Sequence, residues 1–192
     1  MLKVKLFFSR QSVIFWVYVL SGIAIALQHY FNDSYNNFTI FKASFGHLLS
    51  NKNLHLVYPN EYYDVFLYHP TFAVLFAPFS FLPDWLGLCV WNICSALSVF
   101  YAIKLLPIGL GQRVFVWWFV FVELTTALHN VQTNAFVASA IVFTFVFLER
   151  KAVFASGFVA SLNFFIKGYG GIAAVLIPFY RQNALKNGLY YL

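Results

Sequence analysis

The chain has 192 residues, of which 61% are hydrophobic and 22% aromatic while only 9% are charged, against roughly 25% in soluble domains. With a mean hydropathy of +0.74 there is too little polar surface to coat a globule, which excludes a soluble enzyme, a disordered protein and a nucleic-acid binder. The formal net charge of +6, from 12 basic and 6 acidic residues, is not gathered into a patch: Lys3, Lys5 and Arg10 open the chain, and Lys104 with Arg113, Arg150 with Lys151, and Arg181 with Lys186 punctuate later apolar runs. Basic punctuation of this kind is the positive-inside signature of a multi-pass membrane protein.

Residues 13–31 are long enough to cross a hydrocarbon core, which takes about 20 apolar residues, and the basic start sets the N-terminus on the cytoplasmic side. The same start, followed by Ala24-Ile25-Ala26, also fits a cleavable signal sequence, but the apolar run continues to Phe31. Residues 32–69 are polar and aromatic and form a large extracytoplasmic first loop. Within it Phe38, Ile40, Phe41, Phe45, Leu48 and Leu49 recur at near-helical spacing, which predicts an amphipathic helix on the membrane surface. Residues 70–82 are short and broken by Pro78, so the segment either crosses steeply or dips in as a half-helix. Spans are predicted over 85–103, 114–128, 135–148, 152–166 and 172–180, and a further run starts at Leu189. Cys89 and Cys94 share one apolar run and are expected to be packing residues.

If 70–82 does not cross, all the basic connections fall on the cytoplasmic side, and this arrangement is preferred. The large loop, the turn 129–134 and the segment 167–171 then share the outer face, with all five histidines (His29, His47, His55, His69, His129), Lys42, Lys52 and Lys167. Asp84 and Glu149 are assigned to the cytoplasmic side and Glu123 to a helix, which leaves Asp33, Glu61 and Asp64 as loop acids. The expected architecture is an all-α polytopic transmembrane helix bundle, a single membrane domain over 1–192, and any chemistry is extracytoplasmic.

Lys167 ends an apolar helix as Phe-Phe-Ile-Lys-Gly-Tyr-Gly-Gly. A charge at the centre of a membrane helix costs about 2.5–3.5 kcal/mol on insertion scales, so such a residue lines a cavity or snorkels. The Gly168, Gly170 and Gly171 backbone could close around an anion. His129, Gln132 and Asn134 either hydrogen-bond a sugar or phosphate or merely satisfy helix ends. Asp64 and His69 could supply a general base and a polar contact where the chain re-enters the membrane. Glu123 is either functional or held by a hydrogen bond from Trp117, Trp118 or a neighbouring helix. No metal-ligand spacing emerges; no cofactor is called for, and a divalent metal on a donor phosphate stays open.

Asn37-Phe38-Thr39-Ile40-Phe41-Lys42-Ala43-Ser44-Phe45, then Tyr68-His69-Pro70 through Pro78-Phe79 to Leu82-Pro83, then Gln132-Thr133-Asn134, then Ile166-Lys167-Gly168-Tyr169-Gly170 resemble the successive landmarks of glycosyltransferase family 87. The resemblance implies a GT-C-type membrane fold in a bacterial inner or plasma membrane. It further implies a hexosyltransferase that moves mannose with inversion from a polyprenyl-phosphate-linked donor to an extracytoplasmic glycan or lipid. An acid of the first loop takes the acceptor proton; many relatives begin the first landmark with aspartate, where this chain has Asn37. The resemblance then directs the base role to Asp64, with Asp33 second, and phosphate or substrate binding to Lys167, His129, Gln132, Asn134, His69 and Lys42. The family's members are longer, so an N-terminal fragment is expected. Two other readings are a lipid-carrier or solute transporter, which needs more polar residues at helix centres than Glu123, and a non-catalytic subunit of an envelope assembly, which Asn37 permits.

Overall fold

The computed structural model describes residues 7–179; Lys3, Lys5, Tyr180, Arg181, Lys186 and the run from Leu189 lie outside them. Every regular element among the described residues is helical. Helices α1 (Gln11–Phe31), α4 (Asp84–Leu105), α5 (Leu110–His129), α6 (Asn134–Glu149) and α7 (Val153–Ile166) form the bundle, α2 (Asn36–Leu49) and α3 (Pro70–Ser80) cap one end of it, and a 3-10 helix covers Gly168–Phe179. By length and composition α1 and α4 can each cross a membrane, while α3, α6 and α7 are apolar but shorter.

α1 and α4 run antiparallel: Phe15 meets Phe100 with ring centroids 5.4 Å apart, and Gly22 lies so close to α4 that a Cβ there would sit 3.2 Å from the Asn92 carbonyl. A small residue at the crossing is what lets two backbones approach this closely. Trp117 of α5 stacks on Phe100 at 4.9 Å and donates its Nε1–H to the Phe100 carbonyl at 3.1 Å, while the Tyr18 hydroxyl donates to the Trp117 carbonyl at 2.7 Å. These large rings are fully buried, and their polar atoms find main-chain partners, as burial of Trp and Tyr requires. Trp118 donates to the Phe8 carbonyl, so neither tryptophan holds Glu123, which is exposed and has no hydrogen-bond partner among the described residues.

α5 returns its C-terminus beside that of α1, where the His29 and His129 rings lie 5.6 Å apart. α6 runs alongside α4, joined by Ser98 to Ser139 at 3.0 Å, and α7 turns back along it through Asn163 Nδ2 to the Val137 carbonyl at 3.2 Å. One end of the bundle thus carries the long loop and the turns after α1, α5 and α7. The other end carries the turns between α4 and α5 and between α6 and α7.

At the loop end Pro70 opens α3 with His69 as its N-cap. The helix has 11 residues, a length of about 16 Å, and both its ends stay at the loop end, so it does not cross the bundle. α2 buries Phe38, Ile40 and Phe41 against α3 and α4 in a cluster with Phe72, Phe76 and Trp91, so the apolar stripe expected on a membrane surface packs on protein. Asp84 corrects the sequence reading. It begins α4 at the loop end and pairs with Lys42 at 2.6 Å, because a segment that dips and returns brings its far end back to the side it left. Cys89 is buried and Cys94 exposed, both as free thiols.

Helices α1, α2, α5 and α6 end in one way. Asp33, Asn51, Val131 and Lys151 take left-handed φ values of 50°, 52°, 48° and 56°, each with its N–H and that of the next residue turned back onto the last helical turn. This is the Schellman cap, normally closed by glycine. Because Lys151 is exposed, Lys151→Gly should relieve about 1 kcal/mol of left-handed strain and raise Tm by about 3 °C in a thermal melt; an unchanged or lower Tm would show that the lysine is unstrained there.

Candidate functional site

The site is built around the end of α7. Lys167 is the C-cap residue, its backbone extended and its N–H donated to the Asn163 carbonyl at 3.0 Å. Its ammonium donates to Asn134 Oδ1 at 3.2 Å and lies over the rings of Tyr68 at 5.5 Å and Tyr169 at 5.1 Å, a cation–π arrangement. The Tyr169 hydroxyl donates to the same Asn134 oxygen at 2.7 Å, and Asn134 Nδ2 donates to Gln132 Oε1 at 2.6 Å. No carboxylate pairs with Lys167 among the described residues, so its charge is held by neutral dipoles and rings. Such an ammonium has a donor to spare for an anion.

The glycine-rich break is built differently from the expected anion loop. No described glycine has a positive φ, and Gly170 N–H is spent on the Lys167 carbonyl at 2.7 Å. The glycines serve close packing: a Cβ on Gly170 would lie 2.6 Å from the Asn163 backbone oxygen, and one on Gly171 would lie 2.9 Å from the Phe164 ring. Asn163, buried to 1% exposure, donates to the carbonyls of both Val137 and Gly170 and so fixes the segment that carries Lys167.

Asp64 stands apart from the four left-handed caps. Its φ is 120° at a place where no helix ends, and its carboxylate accepts from Val65 N–H at 2.8 Å. Asn36 clamps the preceding residue with two bonds of 3.0 Å, its amide donating to the Tyr63 carbonyl and accepting from Tyr63 N–H. Exposed Asp64 thus follows directly on a residue anchored to the first turn of α2. The neighbouring Asn37 donates to the Asn130 carbonyl at 2.7 Å and ties α2 to the turn 129–134. A strained non-glycine residue held by its surroundings is a mark of functional sites.

The remaining sequence candidates are dispersed. His129 donates Nδ1–H to the Thr125 carbonyl at 2.8 Å, and His69 caps α3 through Thr71 with its ring against Phe165. Lys42 is taken up by Asp84 and by the Leu82 carbonyl, and Asp33 lies in the α1 cap beside Tyr35. The Tyr35 hydroxyl has a raised pKa, first from burial and then from Asp84 and Asp33; Tyr62 is pushed up to about 12 by burial, then by Glu61 and Tyr58. Neither phenol can act as a base near neutral pH. Sequence reasoning passed over Tyr68, Tyr169, Asn163 and Asn36 as site residues, although Tyr68 and Tyr169 stand inside the landmark segments and Asn163 stands alone inside an apolar run.

Between α4, α5 and α6 lies an apolar cavity of about 510 Å³ lined by Val99, Ile103, Val120, Leu124 and Ala138, with Glu123 at its wall and Asn134 among its lining. Asn134 therefore belongs both to this cavity and to the Lys167 network. Among the described residues no group of three or more His, Cys, Asp or Glu side chains converges as a metal site.

Among the described residues the fold is all-helical, and a lysine with no carboxylate partner stands with several polar side chains at one end of an apolar bundle. The profile of glycosyltransferase family 87 matches residues 66–185, more than half of the chain, and the protein belongs to that family. The match takes in Tyr68, Asn134, Lys167 and Tyr169 and leaves Asp33, Asn36 and Asp64 before it. No curated protein and no solved structure matches the chain.

The Gly170 contact gives a direct test. Gly170→Ala must push the 3-10 segment off Asn163 and should destabilise the protein by about 1–3 kcal/mol, whereas Gly168→Ala, which meets nothing within 4 Å, should leave Tm unchanged. Equal melts for the two variants would show that the Asn163 contact does not hold the Lys167 segment.

Proposed function

We propose that the protein transfers a hexose, mannose in the first instance, from a polyprenyl-phosphate-linked donor to an extracytoplasmic glycan or glycolipid acceptor, with inversion at the anomeric carbon. The observation that carries the reading is the Lys167 ammonium, fixed by Asn134 and two tyrosine rings and left without a carboxylate. Membership of a glycosyltransferase family supplies the reaction class. The apolar cavity that shares Asn134 with this network supports a donor whose phosphate is attached to a long hydrocarbon.

In this reaction Asp64 takes the proton of the acceptor hydroxyl, whose oxygen attacks the anomeric carbon from the face opposite the phosphate. The bond from that carbon to the phosphate oxygen breaks, and the electron pair leaves on the phosphate. A phosphate leaving group needs charge stabilisation more than protonation, and donors aimed at developing charge are the larger part of such catalysis. Lys167 supplies it, with the Tyr169 hydroxyl and Gln132 within the same network. Asp33 is the second candidate for the base. The bundle sits in the membrane as a multi-pass protein with its loop end outside and its N-terminus in the cytoplasm, supported by the basic residues Arg10, Lys104, Arg113, Arg150 and Lys151 at the other end.

The test is transfer of radiolabelled mannose from polyprenyl-phosphate-mannose to membrane acceptors. Lys167→Met should lower kcat/KM by about 10²–10³-fold, and Asp64→Asn should lower kcat at least as far while Asp33→Asn has the smaller effect. Undiminished transfer by Asp64→Asn removes that residue as base, and absence of transfer by the unaltered protein from any polyprenyl-phosphate sugar overturns the reading.

A further inference from the structure

A second cleft, of about 400 Å³, opens at the loop end between α2 and the turn from α3 into α4, with Thr39, Lys42, Phe45, Glu61, Ser80 and Phe81 in its lining. It uses a different stripe of α2 from the one that meets Tyr68, and it includes none of the Lys167 network. Its volume falls in the range of small-molecule sites, which combine apolar surface with a few convergent polar groups.

The polar groups are oriented and incompletely used. His47, with its side chain 5% exposed, packs at a tilt on Tyr58 with ring centroids 4.0 Å apart and holds Glu61 Oε2 at 2.9 Å; Oε1 of the same carboxylate has no partner among the described residues. Two of the three Lys42 donors go to Asp84 and the Leu82 carbonyl, which leaves one. Ser80 Oγ donates to the Lys42 carbonyl and keeps its acceptor capacity. A carboxylate locked in place by a buried histidine is a preorganised hydrogen-bond acceptor. At the rim the Phe81 ring is 77% exposed and meets Phe45 edge-on at 5.9 Å, so an aromatic surface lies beside the polar groups.

This combination selects the ligand class. Glu61 disfavours an anion and Lys42 a cation, while a neutral polyhydroxylated ring satisfies both, its hydroxyls donating to the carboxylate and accepting from the ammonium with its C–H face against Phe81. We propose that this cleft is a carbohydrate-binding site that takes a pyranose ring of the acceptor glycan, with Glu61 and Phe81 as its main contacts and His47 as the residue that positions Glu61. The glycosyltransfer reading supplies the role of the ligand as acceptor; the binding chemistry stands on the cleft alone.

The experiment is saturation-transfer NMR on the full chain in a detergent without a sugar headgroup, with methyl α-D-mannopyranoside, methyl α-D-glucopyranoside and methyl α-D-galactopyranoside as probes. At least one should receive saturation at its ring C–H protons. Glu61→Gln, which keeps the size of the side chain, and Phe81→Ala, at an exposed position, should each weaken that binding about tenfold, while Lys167→Met leaves it unchanged. Equal binding by Glu61→Gln and Phe81→Ala, loss on Lys167→Met, or no saturation of any of the three probes overturns the proposal. Failure of mannose transfer would remove the enzymatic reading without touching this binding, and unaltered binding by the cleft variants would remove the cleft without touching transfer.

Discussion

The indole of Trp91 is the contact on which the loop end depends. It lies 5.1 Å from Phe76, 5.9 Å from Phe41 and 4.8 Å from Phe136, and so joins α2, α3, α4 and α6 about two turns below the start of α4. In a chain with so few charges, rings of this kind take over the positioning that salt bridges and loop hydrogen bonds give elsewhere. Each aromatic pair adds about 0.5–1.5 kcal/mol beyond the area it buries, and the preference for edge-to-face geometry gives the cluster a direction as well as an energy. Phe41 passes that order on to Tyr68, 5.1 Å away, and Tyr68 forms one wall of the lysine site. The seat of Lys167 is thus set from α2 and α4 as much as from α7.

The long elements were legible because their signal is repeated. Apolar runs of the length of α1 and α4 are long enough to be read as helices from composition alone, and Pro78 inside 70–82 marked that segment as one that either crosses steeply or dips in and returns. The single contacts were not legible, because each depends on one pair of residues far apart in the chain. Lys42 and Asp84 lie 42 positions apart and share no pattern, so nothing local announced the pair, and Asp84 was assigned to the wrong end although a segment 70–82 that does not cross keeps it with the loop. Asn36 and Tyr63 form a two-bond clamp that nothing in either local sequence announces. Gly170 was read for backbone freedom when its use is the absence of a side chain beside Asn163. Lys167, Gln132 and Asn134 were found together because the two short segments that carry them are each unusually polar for their surroundings.

The two loop-end sites divide the chemistry between them by how completely charge is neutralised. At Lys167 a cation is left with neutral partners, a condition that invites an anion. In the cleft Lys42 has its counter-ion in Asp84 and Glu61 is held by a hydrogen bond from His47, and what remains is hydrogen-bonding capacity on both sides of the cleft. Pairing of that kind lowers the cost of holding ions in a partly buried setting and leaves directional contacts for a neutral ligand.

The return of Asp84 to the loop end changes the long-range field of the molecule. Among the described residues that end carries four carboxylates, Asp33, Glu61, Asp64 and Asp84, against the three ammonium groups of Lys42, Lys52 and Lys167, while the opposite end carries five basic side chains and Glu149. The described loop end therefore has no cationic excess of the kind that focuses anions into charged clefts and raises encounter rates. On the proposed function, a lipid-linked donor confined to the plane of a bilayer would need no such guidance, because lateral diffusion along the side of the bundle would bring it to the lysine.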